Sequence, residues 1–146
     1  MREGKWQNAI EIIKPLENDY PLLADYVLLD LATCYEKSGD SEEAMNILRK
    51  IVKKYKSFPL YRKTYQRILE LGKSGDSTVL VTDYDLYLQE FPQDSKAAWE
   101  KTGLLEKSGR SDEARALRKE IFFYRQLLYH ERLRSPQNGR FSAFLR

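Results

Sequence analysis

This 146-residue chain contains one cysteine and one histidine. A lone cysteine cannot close an internal disulfide, so Cys34 says nothing about redox compartment. Zinc asks for several Cys or His ligands, and one of each does not supply them. Glycine is scarce, at 7 residues, and no Gly-rich turn followed by lysine is present to cradle a phosphate or a dinucleotide. No apolar run is long enough to span a membrane. The opening Met1-Arg2-Glu3-Gly4-Lys5-Trp6 lacks the apolar stretch of a secretion signal. A Ser-His-Asp triad would have to use His130, which stands among Tyr129, Glu131 and Arg132 and reads as an exposed residue of a basic helix. Cys34 falls beside Leu31 and Tyr35 on an apolar helix face, which suits a packed, inert thiol. No catalytic residue, metal site or cofactor is expected, and the chain reads as a non-enzyme, or as the non-catalytic part of a larger one.

What the sequence does have is a returning loop. Lys37-Ser38-Gly39-Asp40-Ser41 reappears as Lys73-Ser74-Gly75-Asp76-Ser77 and as Lys107-Ser108-Gly109-Arg110-Ser111. A degenerate copy, Gly4-Lys5-Trp6-Gln7-Asn8-Ala9, opens the chain. The glycine steps of 35, 36 and 34 residues belong to stacked helical hairpins, which bury a core only by piling on one another. Each loop reads as a helix stop followed by a helix start. Its glycine suits a left-handed backbone at the end of a first helix (A). Ser41, Ser77 and Ser111 are placed to cap a second (B).

The apolar spacing predicts A and B helices at about Leu22–Lys37 and Ser41–Tyr55, then Leu60–Leu71 and Ser77–Glu90, then Ser95–Lys107 and Ser111–Leu133. Inward positions are Leu28, Leu31, Ala32 and Tyr35 on the first A helix, and Ala44, Ile47, Leu48, Ile51 and Val52 on its partner. Thr78-Val79-Leu80-Val81-Thr82 has strand propensity, which the repeat register outweighs. Pro15 is expected to kink or stop a B-type helix over Trp6–Tyr20. That helix has no A helix before it, so the array is expected to begin in mid-repeat, as a piece of something larger or with another cap at that end. The reading is one helical repeat domain over residues 1–134, with a partial repeat at 1–20 and repeats at about 22–57, 58–92 and 94–134. A basic tail over 135–146 is expected to be disordered.

These residues resemble the tetratricopeptide repeat. Leu31, Ala32, Tyr35, Gly39 and Ala44 occupy the spacing of that family's packing residues, and Trp99, Gly103 and Ala114 fit it with a one-residue deletion. The second repeat fits less well, with Leu80 in place of the usual alanine. The resemblance implies an all-α fold, a right-handed α–α superhelix or solenoid of about three and a half hairpins. It also implies a protein-interaction or scaffold function, with a partner protein or peptide lying along the concave face of the A helices. Its groove positions correspond to Tyr26, Leu29, Thr33 and Lys37, to Arg62, Tyr65, Leu69 and Lys73, and to Glu100, Leu104 and Lys107. This mixture of aromatic, aliphatic and basic groups suits an extended peptide with acidic character. The family's clamp for a C-terminal carboxylate is absent, because Leu29, Thr33 and Gln66 stand where a lysine and two asparagines would be.

A narrower likeness runs from Ala9-Ile10-Glu11 through Pro15-Leu16 to Pro21-Leu22-Leu23-Ala24-Asp25-Tyr26, which is similar to the helical superhelix of soluble lytic murein transglycosylases. It implies the non-catalytic region of a peptidoglycan-cleaving enzyme, associated with peptidoglycan-processing machinery in the periplasm. Without it a cytoplasmic site is expected. The string nearest to that family's catalytic Glu-Ser is Phe141-Ser142-Ala143-Phe144, with phenylalanine where the acid would be.

Charge is uneven along the chain. Residues 1–109 hold 16 basic and 18 acidic side chains, and residues 110–146 hold 9 and 4. The basic end carries Phe122, Tyr124 and Tyr129 among its arginines, yet no nucleic-acid reading motif appears, so a protein partner is expected rather than nucleic acid. The apolar run from Ile121 to Tyr129 predicts either self-association or a missing covering element.

Overall fold

Two aspartates of the returning loop, and a third in the linker before an A helix, each stand at a helix start. In a computed structural model of the chain, which describes residues 3–134, Asp40 Oδ1 accepts from the Glu43 amide at 3.1 Å and opens helix α4 (Ser41–Lys54). Asp94 Oδ1 accepts from the Ala97 amide at 3.1 Å and opens α7 (Ser95–Lys107). Asp76 Oδ1 accepts from the Thr78 amide at 2.7 Å ahead of α6 (Ser77–Glu90). The cap therefore stands one residue earlier than Ser41 and Ser77, the expected caps. Those serines are already the first helical residues, and the preceding carboxylate adds full negative charge at the positive helix end. In the third copy Arg110 takes the aspartate's place, ahead of α8 (Ser111–Arg134), and its guanidinium forks onto the Glu113 carboxylate at 2.7 and 2.7 Å.

The A helices end in two different ways. In α3 (Ala24–Ser38), Gly39 takes φ 91°, its amide donates to Glu36 O, and the Asp40 amide reaches back to Tyr35 O at 2.9 Å. Gly109 repeats this after α7, with φ 77° and the Arg110 amide on Leu105 O at 2.8 Å. Gly75 departs from the expected pattern and has no positive φ. Helix α5 (Tyr61–Gly72) ends two residues sooner in the repeat than α3 does, and the Gly75 amide closes a tight turn onto Gly72 O.

Gly72 explains the irregular second repeat. Leu80 stands where Ala44 and Ala114 let paired helices approach. A Cβ on Gly72 would lie 2.7 Å from Leu80 Cδ1, so the small residue has moved to the opposite helix. The Thr78–Thr82 segment is helical, as the register predicts. At the front, α1 (Glu3–Ile13) stops just before Pro15 as expected, and α2 (Leu16–Asp19) restarts after it. A short 3₁₀ turn (Pro21–Leu23) leads into α3.

Every element among the described residues is helical, so the chain is all-α and built of antiparallel hairpins. The described residues divide into two compact units, one up to Asp83 and one from Tyr84 onward, with α6 contributing to both. In the first unit α3 packs on α4, on α1 and on α2, and α4 packs on α5. Its core holds the expected Leu28, Leu31, Ala32, Ala44, Ile47, Leu48, Ile51 and Val52, while Tyr35 is only half-buried. In the second unit α7 packs on α8, and Ala98, Leu105 and Ala114 are buried. The fully buried Tyr84 and Tyr87 direct their hydroxyls to Glu100 Oε2 and Asp94 Oδ2, each at 2.7 Å. Each fully buried large apolar side chain contributes on the order of 2 kcal/mol. The tail at 135–146, including Phe141-Ser142-Ala143-Phe144, lies outside the described residues.

The three loop glycines should respond differently to alanine. Gly39→Ala and Gly109→Ala are each expected to cost about 1 kcal/mol, because a side chain disfavours their left-handed backbone. Gly75→Ala is expected to be neutral or slightly stabilising. Urea denaturation of the three variants checks this, and equal losses at all three positions would contradict it.

Candidate functional site

The candidate surface lies on the A helices, and in the first unit these are α3 and α5. Arg67 links them. Its Nε donates to Glu36 Oε1 at 2.5 Å and a terminal nitrogen donates to Thr33 Oγ1 at 3.0 Å. The Thr33 hydroxyl spends its own proton on Leu29 O at 2.9 Å, which leaves a lone pair for Arg67. Thr33, proposed from sequence as a contact position, is thus committed to holding α3 beside α5. The Arg67–Glu36 pair is largely buried on both sides. Its charge-assisted bonds are stronger than those of a surface pair.

The other positions divide by exposure. Tyr26, Lys37, Arg62 and Lys73 are exposed, and Leu29 is half-buried. The Tyr26 ring meets the buried Phe58 edge-on at 5.0 Å, which fixes its orientation while its rim faces water. Lys73 pairs with Glu70 at 2.8 Å across one helical turn. Tyr65 and Leu69 are buried and offer little to a partner, and Tyr65 packs edge-on against Tyr61. In the second unit Lys107 is exposed, whereas Glu100 is half-buried beneath the Tyr84 hydroxyl.

Trp99 was read from sequence as a packing residue, and the structure corrects this: it is 57% exposed. The Arg118 guanidinium lies 5.7 Å from its ring centroid and bonds Glu106 at 2.5 Å. Trp99, Glu106 and Arg118 therefore make a surface cluster on α7 and α8, with Trp99 and Glu106 exposed and Arg118 half-buried, that motif matching does not reveal. One signal was available, since Trp99 and Glu106 are seven residues apart and share a helix face.

No group of three His, Cys, Asp or Glu side chains that could hold a metal gathers among the described residues. No helix there is long and apolar enough to cross a membrane. Cys34 is buried, and burial, aided by the charge of Asp30, raises its pKa above the ordinary thiol value. His130 is exposed on α8. Cys34 should therefore react slowly with a thiol reagent in the folded protein and at least about tenfold faster once urea unfolds it. Equal rates in the two states would contradict the burial.

A family model described as tetratricopeptide repeat matches residues 1–68. No curated protein matches the chain. The matched span takes in α1 to α4 and most of α5, the same helices that carry Tyr26, Lys37, Arg62 and the Arg67 clasp. Neither finding carries the narrower likeness to murein transglycosylases. The match and the helical hairpins together support a tetratricopeptide-like repeat protein.

Proposed function

We propose that this chain is a non-catalytic interaction module that binds an extended segment of a partner protein along its A helices. Tetratricopeptide repeats in general mediate protein–protein contact. The observation that carries the finer reading is electrostatic. Lys37 and Arg62 are exposed on α3 and α5, Lys73 beside them is exposed in a pair with Glu70, and Glu36 is already held by Arg67. Tyr26 adds an oriented aromatic rim to the same helix pair. The partner segment therefore carries acidic side chains interleaved with apolar ones. Cations attract the carboxylates and set the approach, while the aromatic contributes contact area.

Titration calorimetry with two peptides tests this, one alternating Glu with Leu or Phe and one with Lys in place of Glu. The acidic peptide should bind, and the lysine peptide should not. A Lys37→Ala/Arg62→Ala/Lys73→Ala triple should weaken binding at least about tenfold with helicity intact, since all three side chains are exposed. Tyr65 is a poor choice for such a variant, because its loss disturbs the core. Equal binding of the two peptides, or an unaffected triple, would sink the reading.

A further inference from the structure

Each unit leaves a cluster of large apolar side chains in water. On the first unit Tyr20, Leu22, Leu23 and Tyr26 fall within seven residues, and Leu22 is 95% exposed. On the second, Phe122, Phe123, Tyr124 and Leu127 fall within six residues of α8, and both phenylalanines are 65% exposed. Exposed apolar clusters of this density mark contact surfaces. The second straddles the point at which α8 outruns its partner. Helix α8 has 24 residues and its partner α7 has 13, so roughly 36 Å of helix meets roughly 20 Å. Ala114 is buried near the start of α8, whereas every residue from Phe122 to Leu127 is exposed.

Charge decides what covers them. Residues 3–30, around the first cluster, carry six carboxylates and two lysines, and with Glu17 paired to Lys50 of α4 the balance stays negative. Residues 115–134, around the second, carry six arginines and lysines and two glutamates. Pairing either cluster with its own kind sets like charges against each other, and pairing one with the other sets opposite charges together. We propose that a second copy of this chain is the occupant: the exposed Phe122–Leu127 stretch of α8 docks on the Tyr20–Tyr26 segment of another copy. The contact is head-to-tail rather than two-fold, so one copy keeps a free donor end and the other a free acceptor end. Eight principal side chains make a small interface, which suits weak, concentration-dependent association.

Two exposed-face variants test this by complementation, with Leu22→Glu/Leu23→Glu removing one face and Phe123→Glu/Leu127→Glu removing the other. In sedimentation velocity from micromolar to near-millimolar protein, the wild-type chain should grow beyond a dimer with concentration. Either variant alone, with helicity confirmed by circular dichroism, should associate at least about tenfold more weakly. Mixed together, the two variants should form a one-to-one dimer and nothing larger, because they retain one complementary pair of faces. A wild-type monomer throughout that range would overturn the proposal. So would a variant that associates as the wild type does, or a mixture that fails to pair.

Discussion

Two helices joined by a short loop lie closest where one of them offers a small side chain at the crossing. The hairpin of α3 and α4 meets this with Ala44, which is wholly buried, and that of α7 and α8 with Ala114. The middle hairpin meets it from the other side, with Gly72 facing Leu80. Once the backbones are close, the larger residues around them, Leu28, Leu48 and Ile51 in the first unit, fill the remaining space. The loop serves this contact. Its glycine ends one helix abruptly and its aspartate starts the next, so the second helix leaves at an angle that returns it along the first.

Apolar packing holds each hairpin together, while polar clasps join one repeat to the next. Arg67 on α5 reaches back to Thr33 and Glu36 on α3. Arg49 on α4 forks onto Asp83 on α6, with bonds of 3.2 and 2.6 Å, and Lys50 reaches Glu17 on α2. The Asp83 side chain is almost fully buried, so the guanidinium fork is what makes its burial tolerable. Such pairs fix which residues of neighbouring repeats face each other more than they add stability. The clasp at Glu36 has an electrical side effect: with that carboxylate occupied, the exposed charge at the end of α3 is the cation of Lys37.

Much of the architecture was legible because helical hairpins advertise themselves at two scales. The 34 to 36-residue glycine spacing gave the period, and the three- and four-residue apolar spacing gave the faces. Helices α6 and α7 begin and end where that pattern places them. The departures have local causes. The serines and aspartates of the loop are both good caps, and composition does not say which of two adjacent residues stands at the boundary. Gly75 looks identical to Gly39 in sequence, and only the shortened α5 relieves it of a left-handed conformation. The surface positions were the least legible. Family position placed Tyr65 and Leu69 in the groove, and burial removes them; Trp99 was assigned to packing, yet it faces water. Exposure depends on neighbours that no local pattern encodes.

The clasps join residues close to one repeat apart, 34 positions for Arg49 with Asp83 and 31 for Arg67 with Glu36. Within a hairpin the partners are closer still, as with Tyr84 and Glu100, 16 positions apart. A chain held by bonds of this reach has little loop entropy to overcome before each contact forms. Its hairpins can therefore assemble quickly and in almost any order, each new one docking on whichever neighbour is already in place.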